Sequence, residues 1–127
     1  MTRDHDNPFG ELQRVFHEPS RLAIMSHLAG AARGAPFTEL KEACDLTDGN
    51  LSRHLKTLEE AGAVRIEKSF VGARPRTTVH LTDQGRDGFV AYLDALEAVL
   101  RRAADATAAS RKRGKRRVRV RGRPAEA

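Results

Sequence analysis

Between Thr47 and Glu60 the chain reads "TDGNLSRHLKTLEE", a stretch whose polar side chains hydrogen-bond well and react poorly. Wound as a helix at roughly 100° per residue, it sets Leu51, Leu55 and Leu58 on one side and Gly49, Arg53, Lys56 and Glu60 on the other, with Asn50, Ser52 and Thr57 on the flanks. Asn, Ser and Arg carry donors and acceptors that match base edges in a major groove, Gly49 permits close approach, and Lys56 can meet a phosphate. Thr47, at the leading edge, joins the same surface. Glu59 and Glu60 fall at the end that should point away from a duplex. His54 lies on the flank of the apolar face and reads as a half-buried packing or phosphate-contacting residue.

Two further groups of cations accompany this stretch. Lys68, Arg74 and Arg76 surround the turn formers Gly72 and Pro75, and a narrow hairpin with arginine at its tip reaches phosphates or an adjacent minor groove. The second group is terminal. Of the 23 Lys and Arg, nine lie between Arg111 and Arg123, whereas only one of the 17 Asp and Glu lies in the last seventeen residues. Residues 1–110 therefore hold 14 basic against 16 acidic side chains, a net −2, and residues 111–127 a net +8. A like-charge block of this kind is expected to stay solvated and extended until a polyanion meets it.

Other chemistries find little support. There is no nucleophile paired with a base, no phosphate-cradling glycine loop and no paired carboxylates in a plausible cleft, so an enzyme is not expected. Cys44 is the single cysteine, which rules out an internal disulfide and leaves it to pack as a small apolar residue. His5, His17, His27, His54 and His80 are scattered, and neither a metal nor a cofactor is expected. No apolar stretch approaches a membrane span and the N-terminus lacks a secretory segment, so the expected place is the cytoplasm, on the nucleoid.

These residues need elements to position them. Asn7-Pro8 offers a cap and a first helical position for a helix to about His17, with Phe9, Leu12 and Phe16 at helical spacing. Pro19 interrupts it, and "SRLAIMSHLAG" follows as a second helix, with Leu22, Met25 and Leu28 on one face and Gly30 ending it. Residues 30–36 read as a loop. Thr38 is placed to cap a third helix, "ELKEACD", whose apolar side is Leu40, Ala43 and Cys44. Thr47 caps the fourth, which Gly62 terminates, with Leu46 and Leu51 spaced as a hydrophobic staple. After Gly62 the period becomes alternating, and two strands flank "VGARPR" as a β-hairpin. Thr82 caps a last helix from Asp83 to about Ala109, along which Phe89, Leu93, Leu96 and Leu100 form one stripe.

The fold class is thus mainly α with a small β-hairpin. It is a winged helix-turn-helix domain over residues 7–109 with a C-terminal dimerisation helix, followed by a basic, unstructured tail over residues 110–127. At this point "EPSRLAIMSHLA", "FTELKEACDLTDGNLSRHLKTLEEAGAVRIEK" and "RPRTTVHLTDQGR" resemble the small winged-helix transcriptional regulators of the ArsR/MarR type, over about residues 10–100. The resemblance implies a homodimer on a roughly palindromic operator, the helix at 48–61 in the major groove and the hairpin as the wing. Metal-sensing members carry a Cys-x-Cys pair where this chain has Pro36, Phe37 and Thr38, so soft-metal sensing is not expected.

The last helix supplies the expected dimer contact. Phe89, Leu93, Leu96 and Leu100, with Tyr92 and with Phe9, Leu12 and Phe16 of the first helix, form more apolar surface than a small domain is expected to cover alone. Paired recognition helices would stand about 34 Å apart, one turn of duplex. In the tail, "RGRP" resembles the core of an AT-hook, with Arg121 and Arg123 flanking a glycine, although Val120 stands where that motif has proline; neutralisation of phosphates is the other reading. The expected function is a sequence-specific regulator of transcription, a repressor, whose partners are double-stranded DNA and a second copy. The rival readings are an architectural chromatin protein driven by the tail and a winged helix used on RNA or protein.

Overall fold

The structure is a computed structural model describing residues 10–126, with side chains to residue 114. The chain divides into two units, Met1–Tyr92 and Leu93–Ala127. The elements run α1 (Gly10–Phe16), α2 (Pro19–Ala29), β1 (Ala35–Pro36), α3 (Phe37–Ala43), α4 (Asp48–Glu60), β2 (Val64–Val71), β3 (Arg74–Leu81) and α5 (Asp83–Glu126), the last shared by both units. The strands form one antiparallel sheet in the order β1-β3-β2. The helices and hairpin are those expected; β1 is an addition. Ala35 and Pro36 pair with Val79 and Thr78 inside the stretch read as a loop, because two residues are too few to display a period of two.

Local chemistry sets the helix ends. Glu18 caps α2 by accepting a 2.8 Å hydrogen bond from the Arg21 amide, so Pro19 opens α2 as well as closing α1. Thr38 does not cap α3. Extended Pro36 (φ −62°, ψ 150°) occupies that position with no side-chain bond, and Thr38 lies one residue inside the helix. The strand pairing of Pro36 fixes where the helix begins. At the far end Asp45 takes a positive φ of 55° while the Leu46 amide donates to the Lys41 carbonyl at 3.0 Å, a left-handed helix stop that glycine more often supplies.

The end of α4 and the start of α5 are tied together. Gly62 has φ +81°, and the Gly62 and Ala63 amides donate to the Glu59 and Leu58 carbonyls at 3.0 and 2.9 Å. The Thr82 hydroxyl accepts from the Gly85 amide at 2.8 Å, the expected cap, and donates to the Gly62 carbonyl at 2.6 Å. Gly85 itself presses on this junction: a Cβ there would overlap the Ala63 carbonyl.

The core of the first unit takes Leu28 and Met25 from α2, Leu40 from α3, the three leucines of α4 and Val64 and Val79 from the hairpin. Ile24 fills the third buried place on α2 that the spacing gave to Leu22, which is half-buried. On α3 Leu40 is buried, Ala43 exposed and Cys44 half-buried, with its thiol pKa pushed up by burial.

An aromatic cluster corrects the dimer expectation. Phe16 meets Phe89 and Tyr92 edge-on, with ring centroids 5.4 and 5.9 Å apart, and the Tyr92 hydroxyl lies 3.1 Å from His17 Nδ1. Leu12, Phe16, Phe89 and Tyr92 are therefore covered by their own chain, because α1 folds over the first turns of α5. Phe9 and the Asn7-Pro8 cap lie outside the described residues. In the second unit Leu93 and Leu100 stay 42% and 59% exposed, and Leu96 is half-buried. The α5 backbone is helical to Glu126, not to Ala109, so the tail expected to be unstructured continues the helix. Arg, Lys and Ala are good helix formers, and the helix runs on through Gly114 and Gly122. Among the described residues no helix is long and apolar enough to cross a membrane.

Candidate nucleic-acid interface

The surface begins with the placement of α4. Its N-cap Thr47 (φ −77°, ψ 162°) accepts a 3.1 Å hydrogen bond from the Asn50 amide, and Asp48 pairs with Lys41 of α3 at 2.9 Å. A carboxylate in the first turn suits the positive end of the helix dipole. Leu51, Leu55 and Leu58 are buried, so Gly49, Asn50, Ser52, Arg53 and Lys56 are exposed, as the helical period requires. Thr47 is exposed as well. Thr57 is half-buried, and its hydroxyl donates back to the Arg53 carbonyl at 3.2 Å.

Two of these side chains hold each other. The Arg53 guanidinium donates to Asn50 Oδ1 at 2.8 Å. The Asn50 amide nitrogen is left as a donor and the rest of the arginine fork faces outward, an arrangement suited to acceptors such as purine N7 and O6. The Gly49 position has nothing within 4 Å of a Cβ site, so a flat partner can come close.

His54 faces α2. Arg21 donates to its Nδ1 at 3.3 Å and, through Nε, to the Val15 carbonyl at 2.7 Å. Because arginine has only donors, Nδ1 must be the acceptor here, and the residue packs half-buried, as expected. Arg21 thereby links α1, α2 and α4, a role that no local spacing announced.

The hairpin is longer than the sequence indicated. Val71 pairs with Arg74, leaving a two-residue turn, Gly72-Ala73, with Gly72 at φ +65°. Arg74, Pro75 and Arg76, expected in the connection, belong to β3. A proline fits there because β1 reaches only Thr78 and Val79, so beside Pro75 the strand has one neighbour.

Strand alternation then divides the cations. Lys68 shares the β2 face of Val64 and Ile66, while Arg74 and Arg76 pair with Val71 and Ser69 on the reverse face. Lys68, Ser52 and Lys56 come together around one concavity between α4 and the sheet, with Glu59 also on its wall. Arg76 lines a second hollow beside Thr38 and Phe37. Arg74 sits exposed next to the turn, in neither. Arg121 and Arg123 lie beyond the described side chains. Phe70, not among the residues singled out from the sequence, is 72% exposed on the Lys68 face; its place two residues after Lys68 in an alternating strand was the available signal. No group of three or more His, Cys, Asp or Glu could hold a metal among the described residues.

Comparison with known proteins gives a consistent result. Residues 20–100 match the family model of the winged helix DNA-binding domain. Over 80 residues the chain is 40% identical to an uncharacterised protein of Methanocaldococcus jannaschii, covering 63% of this chain and 86% of that one. Its structure is similar to that of a transcriptional regulator homologue from Pyrococcus horikoshii OT3, at 39% identity and TM-score 0.63, over 68% of this chain and 85% of the other. A MarR family transcriptional regulator from Silicibacter pomeroyi shares the fold at 24% identity and TM-score 0.55, over 73% and 61% of the two chains.

Proposed function

The chain belongs to the winged helix DNA-binding domain family, and from that premise we propose that it is a sequence-specific transcriptional repressor which occupies operator DNA as a homodimer. The observation that carries this reading is the outward face of α4, where Asn50, Ser52, Arg53 and Lys56 stand exposed above three buried leucines. In this reading α4 enters the major groove with Gly49 at its closest approach. Thr47 and Thr57 flank the contact, and Lys56 and Lys68 take phosphates across the concavity they share. Arg74 and Arg76 contact the backbone beside the neighbouring minor groove. No catalytic step is assigned.

The second copy is recruited through the C-terminal helix. Leu93, Leu96 and Leu100 recur at three and four residues, a spacing that pairs helices, and in one chain Leu93 and Leu100 remain exposed. Two-fold pairing gives half-sites about ten base pairs apart. The basic terminus, Arg121 and Arg123 included, adds affinity without choosing sequence.

A second reading, an architectural protein of little sequence preference, is favoured by the charge of +8 over the last seventeen residues. Selection of bound fragments from random DNA by the full chain, at fixed salt, separates the two. The regulator reading expects a single enriched, near-palindromic motif; enrichment of none overturns it.

A further inference from the structure

The hairpin carries an aromatic ring that the fold does not use. Along one face of β2, Val64 is buried, Ile66 half-buried, and Lys68 stands beside Ser52 and Lys56 of α4. Phe70 is the next residue on that face and is 72% exposed. Its cross-strand partner is Pro75, so ring and pyrrolidine make one small apolar tip. At ~3.3 Å per residue, Phe70 extends about 13 Å past Ile66, the last side chain of the face packed on the body.

The surroundings of this tip select its partner. From Lys68 to Thr77 the hairpin has three cations and no carboxylate, and Glu67, just before it, is held by His80 at 2.9 Å. A polyanion is the matching surface. The face is also continuous with the exposed side of α4, so a duplex lying on α4 runs past Lys68 towards the ring. Proteins that bind the minor groove frequently insert apolar side chains between base steps and partially unstack them.

We infer that Phe70 is a wedge that opens a base step in the minor groove flanking each half-site, with Arg74 and Arg76 on the reverse face of the hairpin holding the phosphates on either side. This inference rests on the regulator reading above. It adds a determinant of specificity that involves no hydrogen bond to a base: a pyrimidine–purine step, which unstacks readily, is favoured at that position over a stiff A-tract.

The test uses the full chain and duplexes recovered by selection from random DNA, with 2-aminopurine placed in turn at each flanking step. The wild-type protein should raise the fluorescence at one step per half-site. Phe70→Ala should abolish that rise and lower affinity by about tenfold when the step is TA or CA, and by less when it is an A-tract. The salt slope should not change, because every phosphate keeps its cation. Phe70→Leu should retain most of the signal. A wild-type protein that gives a clear footprint but no fluorescence rise at any flanking step overturns the wedge alone. Loss of all sequence preference in the wild type overturns the regulator reading along with it. A changed sedimentation of Phe70→Ala without DNA would assign the ring to contact between copies, which also overturns the wedge.

Discussion

Arg53 donates a 2.8 Å hydrogen bond to Asn50 Oδ1 on the exposed face of α4, so the two side chains proposed to read bases are oriented by each other before any partner arrives. Arg53→Ala should cost about 1–3 kcal/mol at one base position if the fork meets guanine. Asn50→Ala should cost less alone, and the double variant less than the sum, with a coupling of about 0.5 kcal/mol or more. Additive losses in a titration against the selected duplex would mean that the pair acts independently. Both positions are exposed, so unfolding midpoints should barely move.

Thr47→Ala should destabilise the domain by about 0.5–2 kcal/mol, because the Asn50 amide loses its acceptor at the start of α4. Thr47→Ser keeps the oxygen and should remain near the wild type. Urea denaturation at equal protein concentration measures both.

Two glycines should respond oppositely to alanine. At Gly49 a Cβ meets open space, so Gly49→Ala should stabilise the helix by about 0.5–1 kcal/mol while weakening DNA binding by holding the duplex further off. At Gly85 the added carbon meets the Ala63 carbonyl, and the variant should be destabilised by about 1–3 kcal/mol. Thermal melts and shift assays on the two variants separate the effects; unchanged DNA affinity for Gly49→Ala would remove that glycine from the interface.

The apolar residues that helical spacing groups as one dimer stripe should separate into two classes. Phe16→Ala opens the aromatic cluster and should cost about 3–5 kcal/mol of folding free energy. Leu100→Glu touches a side chain that is already 59% exposed, so it should leave the fold intact and convert dimer to monomer in sedimentation. A Leu100→Glu protein that still sediments as the dimer would place the pairing elsewhere.

Deleting residues 110–127 removes nine cations. Binding to all sequences should weaken and the salt slope should flatten, by about 0.9 log units per log salt for each phosphate no longer neutralised, while the selected motif stays the same. Footprints at several salt concentrations report both quantities. Disappearance of the motif itself would transfer sequence choice to the tail.

What the sequence made legible was whatever a single helical turn or one strand period encodes. The Thr47 and Thr82 caps, the Gly62 stop and the three leucines of α4 each follow from neighbours within four residues, and so the exposure of Asn50, Ser52, Arg53 and Lys56 followed as well. What stayed hidden depends on partners distant in the chain. Pro75 reads as a turn former until Phe70 is known to lie opposite it. Pro36 displaces Thr38 as the start of α3 only through pairing with Thr78. Phe16 looks available to a second copy until Phe89 and Tyr92, more than seventy residues later, close over it.

The three inward leucines of α4 also bear on descent. They bury the inner face of the helix, while the outward side chains of Asn50 and Arg53 bond to each other. Substitutions at Asn50, Ser52, Arg53 and Lys56 are therefore nearly free of a folding penalty. If α4 reads DNA as proposed, a lineage carrying this domain could be retargeted by changing these four letters, with its architecture inherited intact.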